Sequence, residues 1–273
     1  MTDSVPSLRL HTDVPCLWTI LLAAGSGERF RAATGSKKEA TNSEAPELNA
    51  SGVDKLLVSL AGRPVLLHAL ARLQQLAPHE GVVLVTSPAA KARYQKLLAD
   101  DAVDLASLKI QWALGGPDRR ASVWAGLQAL PEEATTVVVH DAARPLLPIG
   151  PTQQAIQQVQ TGGSPAAILA IPMVDTVKQC RVNSQGATLV EATLPRDTLW
   201  CAQTPQVFMK SVLLAAHKAV PSQVWVTDDA QLVELSHLGP VHIVPGEVSN
   251  LKITTPMDVE LLQQVLSGTH VEQ

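Results

Sequence analysis

LLAAGSGERF, residues 21–30, sets two glycines and an arginine directly behind an apolar run that begins at Trp18. An apolar run followed by glycines and then a helical pattern reads as a buried strand, a tight turn and a helix N-terminus. Glycine lets the backbone fold tightly and bring its N–H groups onto a ligand, and a helix N-terminus favours negative charge, so the turn suits a phosphate. An ordinary strand-to-helix turn would account for the glycines equally well. A dinucleotide fingerprint would need glycine where Phe30 stands, and a P-loop would need Gly-Lys-Ser/Thr, which is absent.

Working outward, short runs of Val, Ile and Leu predict strands over 18–22, 82–86, 110–113, 137–139, 167–171 and 242–244. Helical spacing separates them: Leu66, Leu70, Leu73 and Ala77 recur at three to four residues, and 121–130 and 228–238 behave alike. Apolar strands each followed by a helix predict an α/β fold, a Rossmann-like, mostly parallel twisted sheet with helices on both faces. Ligands of such sheets bind beyond the carboxyl ends of the strands. Two stretches break the rhythm. Residues 31–52, rich in Ala, Ser, Thr, Asn and Glu without apolar period, predict a flexible loop inserted beside the site. Within 175–208 short alternating pieces flank the turn signal Asn183-Ser184-Gln185-Gly186, which predicts a β-hairpin arm, about 173–208, leaving the sheet. Nothing else divides the 273 residues, so a single domain is expected.

The formal net charge of −4 gives no reason to expect a nucleic-acid or membrane coat, so an anion site has to be a local cluster of cations. Cys16, Cys180 and Cys201 are scattered, with no CxxC pair; a disulfide framework or zinc site is not expected, and a reducing cytoplasm fits. The first apolar run, 16–24, is far shorter than a membrane span, and Asp3 and Asp13 do not make a signal peptide's basic start.

The opening phrase resembles the L-x-A-A-G-x-G-x-R-M signature of nucleotidyltransferases that join a nucleoside triphosphate to a phosphorylated sugar or polyol. Further motifs follow in order. Lys55 precedes a Gly62-Arg63-Pro64 turn; LGGPDRRASVWAGL carries Gly115, Gly116, Arg119, Ser122 and Gly126; VVVHDAARP places Asp141 and Arg144 just past a strand. PMVDTVKQ, LPRDTLWCAQTPQVF and VSNLKITTPMD add Thr176, Arg196, Thr204 and Lys252. Each has a plainer reading too: Lys55 as a solvated lysine, Ser122 as a helix cap, Asp141 with Arg144 as a loop ion pair, Arg196 paired to Asp197 or Glu191, and His140 as a packing residue. Together, from about Trp18 to Leu266, they resemble the 2-C-methyl-D-erythritol 4-phosphate cytidylyltransferase family. Leu56 and Leu57 stand where that family usually has glutamine and an aromatic, and Pro117 where it often has an acidic residue.

The resemblance implies transfer of CMP from CTP to methylerythritol phosphate, a step of non-mevalonate isoprenoid synthesis. It implies Arg29, Lys55 and Lys252 as catalytic cations. Ala23, Ala24, Gly25, Gly27, Gly116 and Ser122 would bind the nucleotide. Asp141 and Arg144 would bind the polyol phosphate, with Thr176, Arg196 and Thr204 from an arm that embraces the second subunit of a homodimer. Magnesium would ride mainly on the CTP phosphates, with no protein metal site. Asp228 and Asp229 are expected only to cap a helix. The rival readings are a ribitol 5-phosphate cytidylyltransferase, a dinucleotide-dependent oxidoreductase, which Phe30 and the Thr86-Ser87 strand ending disfavour, and a nucleotide-binding protein without activity.

Overall fold

The computed structural model describes residues 15–25, 27–35, 54–76, 78–100 and 108–268, without the side chains of residues 29 and 33–35. The first half contains β1 (Leu17–Ala23), α1 (Glu28–Gly35), the two-residue strands β2 (Ser59–Leu60) and β3 (Arg63–Pro64), α2 (Val65–Leu73) and β4 (Gly81–Thr86). It continues through α3 (Pro88–Asp100), β5 (Lys109–Leu114), α4 (Arg119–Ala129) and β6 (Thr136–Asp141). The second half adds α5 (Ile149–Gln160), β7 (Ala166–Pro172), β8 (Lys178–Val182) and β9 (Thr188–Thr193). A single 3-10 turn leads to β10 (Trp200–Met209), α6 (Lys210–Ala219), α7 (Asp229–Leu235), β11 (Val241–Pro245) and α8 (Pro256–Ser267). Every expected strand lies inside an observed one.

Seven strands form one sheet in the order β11-β7-β10-β6-β1-β4-β5, in which β10 runs antiparallel to both neighbours and the other pairings are parallel. The chain goes from β1 outward through β4 and β5, then returns to the other side of β1 as β6. Order reverses there, with Leu22 beside Asp141, so a crevice opens past the carboxyl ends of β1 and β6.

Alternation along these strands explains why both faces are covered. Leu21 and Val138 pack on one side with Leu66, Leu70, Tyr94, Ile156 and Leu262, from α2, α3, α5 and α8. Ile20, Val137 and Val139 point the other way, into Val123, Leu127, Leu213 and Leu232 of α4, α6 and α7. Strands apolar at every position are what two-sided burial requires. Gly126 lets α4 lie close against β1: a Cβ there would lie 2.5 Å from an Ile20 methyl carbon.

Two expectations change. Helix α1 takes in the first five residues of the expected insert, because Arg31 and the alanines after it continue the helix and the Arg31 N–H bonds the Gly27 carbonyl at 2.9 Å. Residues 36–53 lie outside the described residues. The expected arm also ends earlier. Only β8 and β9 leave the sheet, around Asn183, whose side-chain oxygen accepts from the N–H groups of Gln185 and Ala187. From Gln203 onward β10 is interior to the main sheet. Its polar letters hide this because Gln203, Thr204 and Gln206 are buried with partners inside the protein, while Val207 and Phe208 fill the core.

Candidate active site

Ala23, Ala24 and Gly25 carry the chain out of β1, and Gly27 turns it into α1 with a left-handed φ of 65° that disfavours other residues. The loop from β5 to α4 closes over this end. A Cβ on Gly115 would lie 2.4 Å from the Ala24 Cβ and 3.0 Å from the Ser122 hydroxyl, so only glycine allows that approach. The Ser122 hydroxyl accepts from the Gly116 N–H at 3.2 Å and donates to the Asp118 carbonyl at 2.8 Å. The Asp118 carboxylate caps α4 by accepting from the Ala121 N–H at 2.7 Å. Ser122 is therefore not the cap of α4, a place that Asp118 takes; it lines the cleft and braces the glycine loop.

Asp141 closes β6. Its Oδ2 accepts from Lys252 Nζ at 2.7 Å, and its Oδ1 lies 3.8 Å from Nε of Arg119. Burial alone would push this carboxyl up; Lys252 and Arg119 outweigh burial and hold it well below the usual carboxylate range. Arg119 also donates from Nη1 to Asp229 at 2.7 Å. Burial works against its charge, but Asp229 and Asp141 more than compensate, so it stays ionised.

A second layer of bonds fixes the Asp141 loop. The Arg144 carbonyl can only accept, so His140 carries its proton on Nε2 and donates to it at 3.0 Å. His140 Nδ1 then accepts from the Thr204 hydroxyl at 3.1 Å, whose oxygen accepts from the Asp141 N–H at 3.1 Å. Burial pushes His140 down to about 4, which keeps it neutral and preserves this order. The Arg144 guanidinium donates to the Asn250 carbonyl at 2.6 Å, and the Asn250 amide donates to Gln203 and to the Thr204 carbonyl. Ile253 N–H donates to the Ala143 carbonyl at 2.8 Å, and Lys55 Nζ reaches the Ile253 carbonyl at 2.7 Å. Segment 250–253 thus carries Lys252 and also anchors Lys55. Behind it, Pro256 begins α8 after Thr255, and the Asp258 carboxylate accepts from the Thr254 and Thr255 N–H groups.

A cleft of about 420 Å³ brings together Ala23, Ala24, Gly25, Lys55, Gly116, Ser122, Asp141 and Lys252. Pro117 lines it too. Gly27 sits at the turn beneath it, and Arg29 occupies the first turn of α1, its side chain outside the described residues. Arg144 and Thr204 stand behind the lining, holding main chain. Thr176 and Arg196 do not line it: both are exposed on the hairpin side, where Arg196 Nη1 donates to the Val174 carbonyl at 2.6 Å.

The sequence reading missed three roles. Arg119 joins the cleft, which its place in the glycine motif could have suggested. Asp228 caps α7 as expected, but Asp229 pairs with Arg119 across 110 positions of sequence, which no local pattern shows. His140 packs, as one reading had it, and also fixes the Arg144 main chain.

Two glycine loops facing a cation-rich floor at the switch point of a mostly parallel sheet define a nucleotidyltransferase. A family model described as 2-C-methyl-D-erythritol 4-phosphate cytidylyltransferase matches residues 47–268, and the chain belongs to that family. Curated proteins of that name are similar along most of their length. The one from Bacillus velezensis is 33% identical over 255 residues, 92% of this chain and 97% of that protein. The one from Desulforamulus reducens is 40% identical over 216 residues, 78% of this chain and 88% of its own. Among solved structures, 4-diphosphocytidyl-2C-methyl-D-erythritol synthase from Anaerococcus prevotii superposes with a TM-score of 0.71 at 26% identity, covering 93% of this chain and 99% of that one.

Proposed function

We propose that the protein transfers the cytidylyl group of CTP to the phosphate of 2-C-methyl-D-erythritol 4-phosphate. A phosphate oxygen of the acceptor attacks the α-phosphorus, the bond to the β-phosphate oxygen breaks, and pyrophosphate leaves with that electron pair. The product is 4-diphosphocytidyl-2-C-methyl-D-erythritol. The observation that carries this reading is the cleft itself, where Lys252 and Arg119 flank Asp141 and Lys55 shares the lining with residues of two glycine loops. Two polyanions have to meet there, so alignment and cations matter more than a nucleophile. A phosphate monoester is already anionic near neutral pH and needs no strong base.

In this reading the backbone at Ala23, Ala24 and Gly116, with Ser122, holds the base and ribose. Arg29, Lys55 and Lys252 face the α-phosphate and the leaving pyrophosphate. Asp141 receives the polyol hydroxyls, with Arg144 and Thr204 holding its loop. Among the described residues no three His, Cys, Asp or Glu side chains cluster to cage a metal, and Asp141 already carries a cation on each oxygen. Magnesium carried by the triphosphate oxygens would supply further charge neutralisation on the transferring and leaving groups, beside Arg29, Lys55 and Lys252.

A homodimer completes the proposal. The hairpin exposes Val174, Val182 and Val190 at 73%, 68% and 63%, and Trp200 beside it at 40%. Packing against a second subunit would bury that surface and carry Thr176 and Arg196 to the partner's acceptor phosphate. Among the described residues no helix is long and apolar enough to cross a membrane, and the three cysteines are free, which suits a cytoplasmic enzyme.

The deciding experiment is pyrophosphate release with magnesium and CTP, offering methylerythritol phosphate and ribitol 5-phosphate in parallel. Turnover with the first alone is expected. Preference for the second, or no turnover with either, would overturn the assignment.

A further inference from the structure

Arg119 is held from behind. It stands at the first position of α4, where the glycine loop ends, and it lines the cleft. Nη1 is taken by Asp229 at 2.7 Å, and Asp229 is only 1% exposed and does not line the cleft. Nε faces Asp141 at 3.8 Å, while Nη2 is buried without a hydrogen-bond partner. A guanidinium with a buried donor unsatisfied has reason to rotate, and the Asp229 bond opposes that rotation.

Asp229 is itself fixed from the sheet. Gln206, buried in β10, donates to Asp228 Oδ2 at 2.7 Å and accepts at Oε1 from the N–H groups of Asp229 and Ala230. Strand β10 also carries Thr204, which bonds the Asp141 N–H. The antiparallel strand therefore reaches Asp141 twice, once through its main chain and once through α7 and Arg119.

We infer that Asp229 is a positioning residue for the acceptor: it aims Arg119 at Asp141, so that Asp141 keeps two cations and a fixed direction when the polyol phosphate binds. The inference rests on the proposed reaction, in which Asp141 receives the acceptor. Asp229 touches no substrate and acts only through Arg119. Its loss leaves the nucleotide loops, braced by Ser122 and Asp118, in place.

The test compares the unaltered protein with Asp229→Asn, Arg119→Lys and the double variant, measuring KM for methylerythritol phosphate and for CTP separately, with melting temperature alongside. Asp229→Asn is expected to raise the acceptor KM about ten-fold, the worth of one weakened charged hydrogen bond, and to leave the CTP KM within about two-fold. Arg119→Lys cannot bond both carboxylates and should do the same. In its background Asp229→Asn should add little, as expected for groups acting in series. A purely structural role would instead lower the melting temperature and the active fraction without splitting the two KM values. Equal rises in both KM values, additive effects in the double variant, or unchanged kinetics in Asp229→Asn would overturn the relay. If Asp229→Asn does not fold, Arg119→Lys alone decides, since an unchanged acceptor KM there would sink it. No turnover by the unaltered protein would instead remove the functional reading beneath it.

Discussion

Lys252 Nζ lies 2.7 Å from Asp141 Oδ2, so the cation assigned to the phosphates is already paired before substrate arrives. With Arg119 on the other carboxylate oxygen, Asp141 holds both side chains at the end of β6. Lys252→Ala removes a charge used most in the transition state and is expected to lower kcat by several orders of magnitude. Arg119 still compensates Asp141, so the protein should remain folded by circular dichroism. A near-normal kcat would dissociate Lys252 from the chemistry. The same measurement on Lys55→Ala tests the cation that reaches the Ile253 carbonyl.

Gly115→Ala tests the glycine loop. The added methyl group would meet the Ala24 Cβ at 2.4 Å and push apart the two loops proposed to hold the base. CTP affinity by calorimetry should fall by at least about ten-fold, roughly the cost of overpacking one contact. Gly25→Ala is the control, since nothing lies within 4 Å of a Cβ there. Its melting temperature should match that of the unaltered protein.

Thr204→Val keeps shape but removes the hydroxyl between His140 Nδ1 and the Asp141 N–H. Leaving that buried N–H without an acceptor should cost about 1–3 kcal/mol, seen as a lower midpoint in denaturant. Thr204→Ser should recover most of it. A Thr204→Val variant as stable as the unaltered protein, with the loss confined to Thr204→Ser, would mean that the methyl group, and not the hydroxyl, matters.

Acid should loosen the fold in a defined window. Burial lowers His79, His140 and His217 from 6.5 to about 4. Their folded pKa values lie below the unfolded ones, so their contribution is fully present above pH 6.5 and is lost as pH falls toward 4. Near pH 5 unfolding should take up about two to three protons, read from the slope of stability against pH. Asp141, also depressed, acts lower still, where ordinary carboxylates protonate. A flat profile between pH 7 and pH 5 would show that these rings are hydrated in the folded state.

The hairpin prediction concerns assembly. Val190→Lys places a charge on the exposed face of β9 and is expected to convert a dimer into monomers by sedimentation. Arg196→Ala should raise the acceptor KM more than the CTP KM while the dimer persists. A monomeric unaltered protein would remove Thr176 and Arg196 from the acceptor pocket.

The strands that form the parallel part of the sheet were legible because each is a short apolar run, and burial on both faces demands that composition. The two glycine loops, Lys55, Asp141 and Lys252 were picked out by their likeness to family motifs, and the fold brings residues of both loops and the three charged side chains to one cleft. Strand β10 was not. Gln203, Thr204 and Gln206 read as polar turn or arm residues, and only their partners on His140, Asp141, Asn250 and Asp228 make their burial tolerable.

By itself the sequence determined the sheet's class, the strand ends and the types of side chain gathered there, since these depend on local composition and spacing. Only the tertiary structure decided that Asp229 faces Arg119, that Thr204 locks Asp141, and that segment 250–253 carries one lysine and anchors another. Those bonds join residues tens to hundreds of positions apart, and a buried charge or hydroxyl declares its role only when the fold supplies its partner.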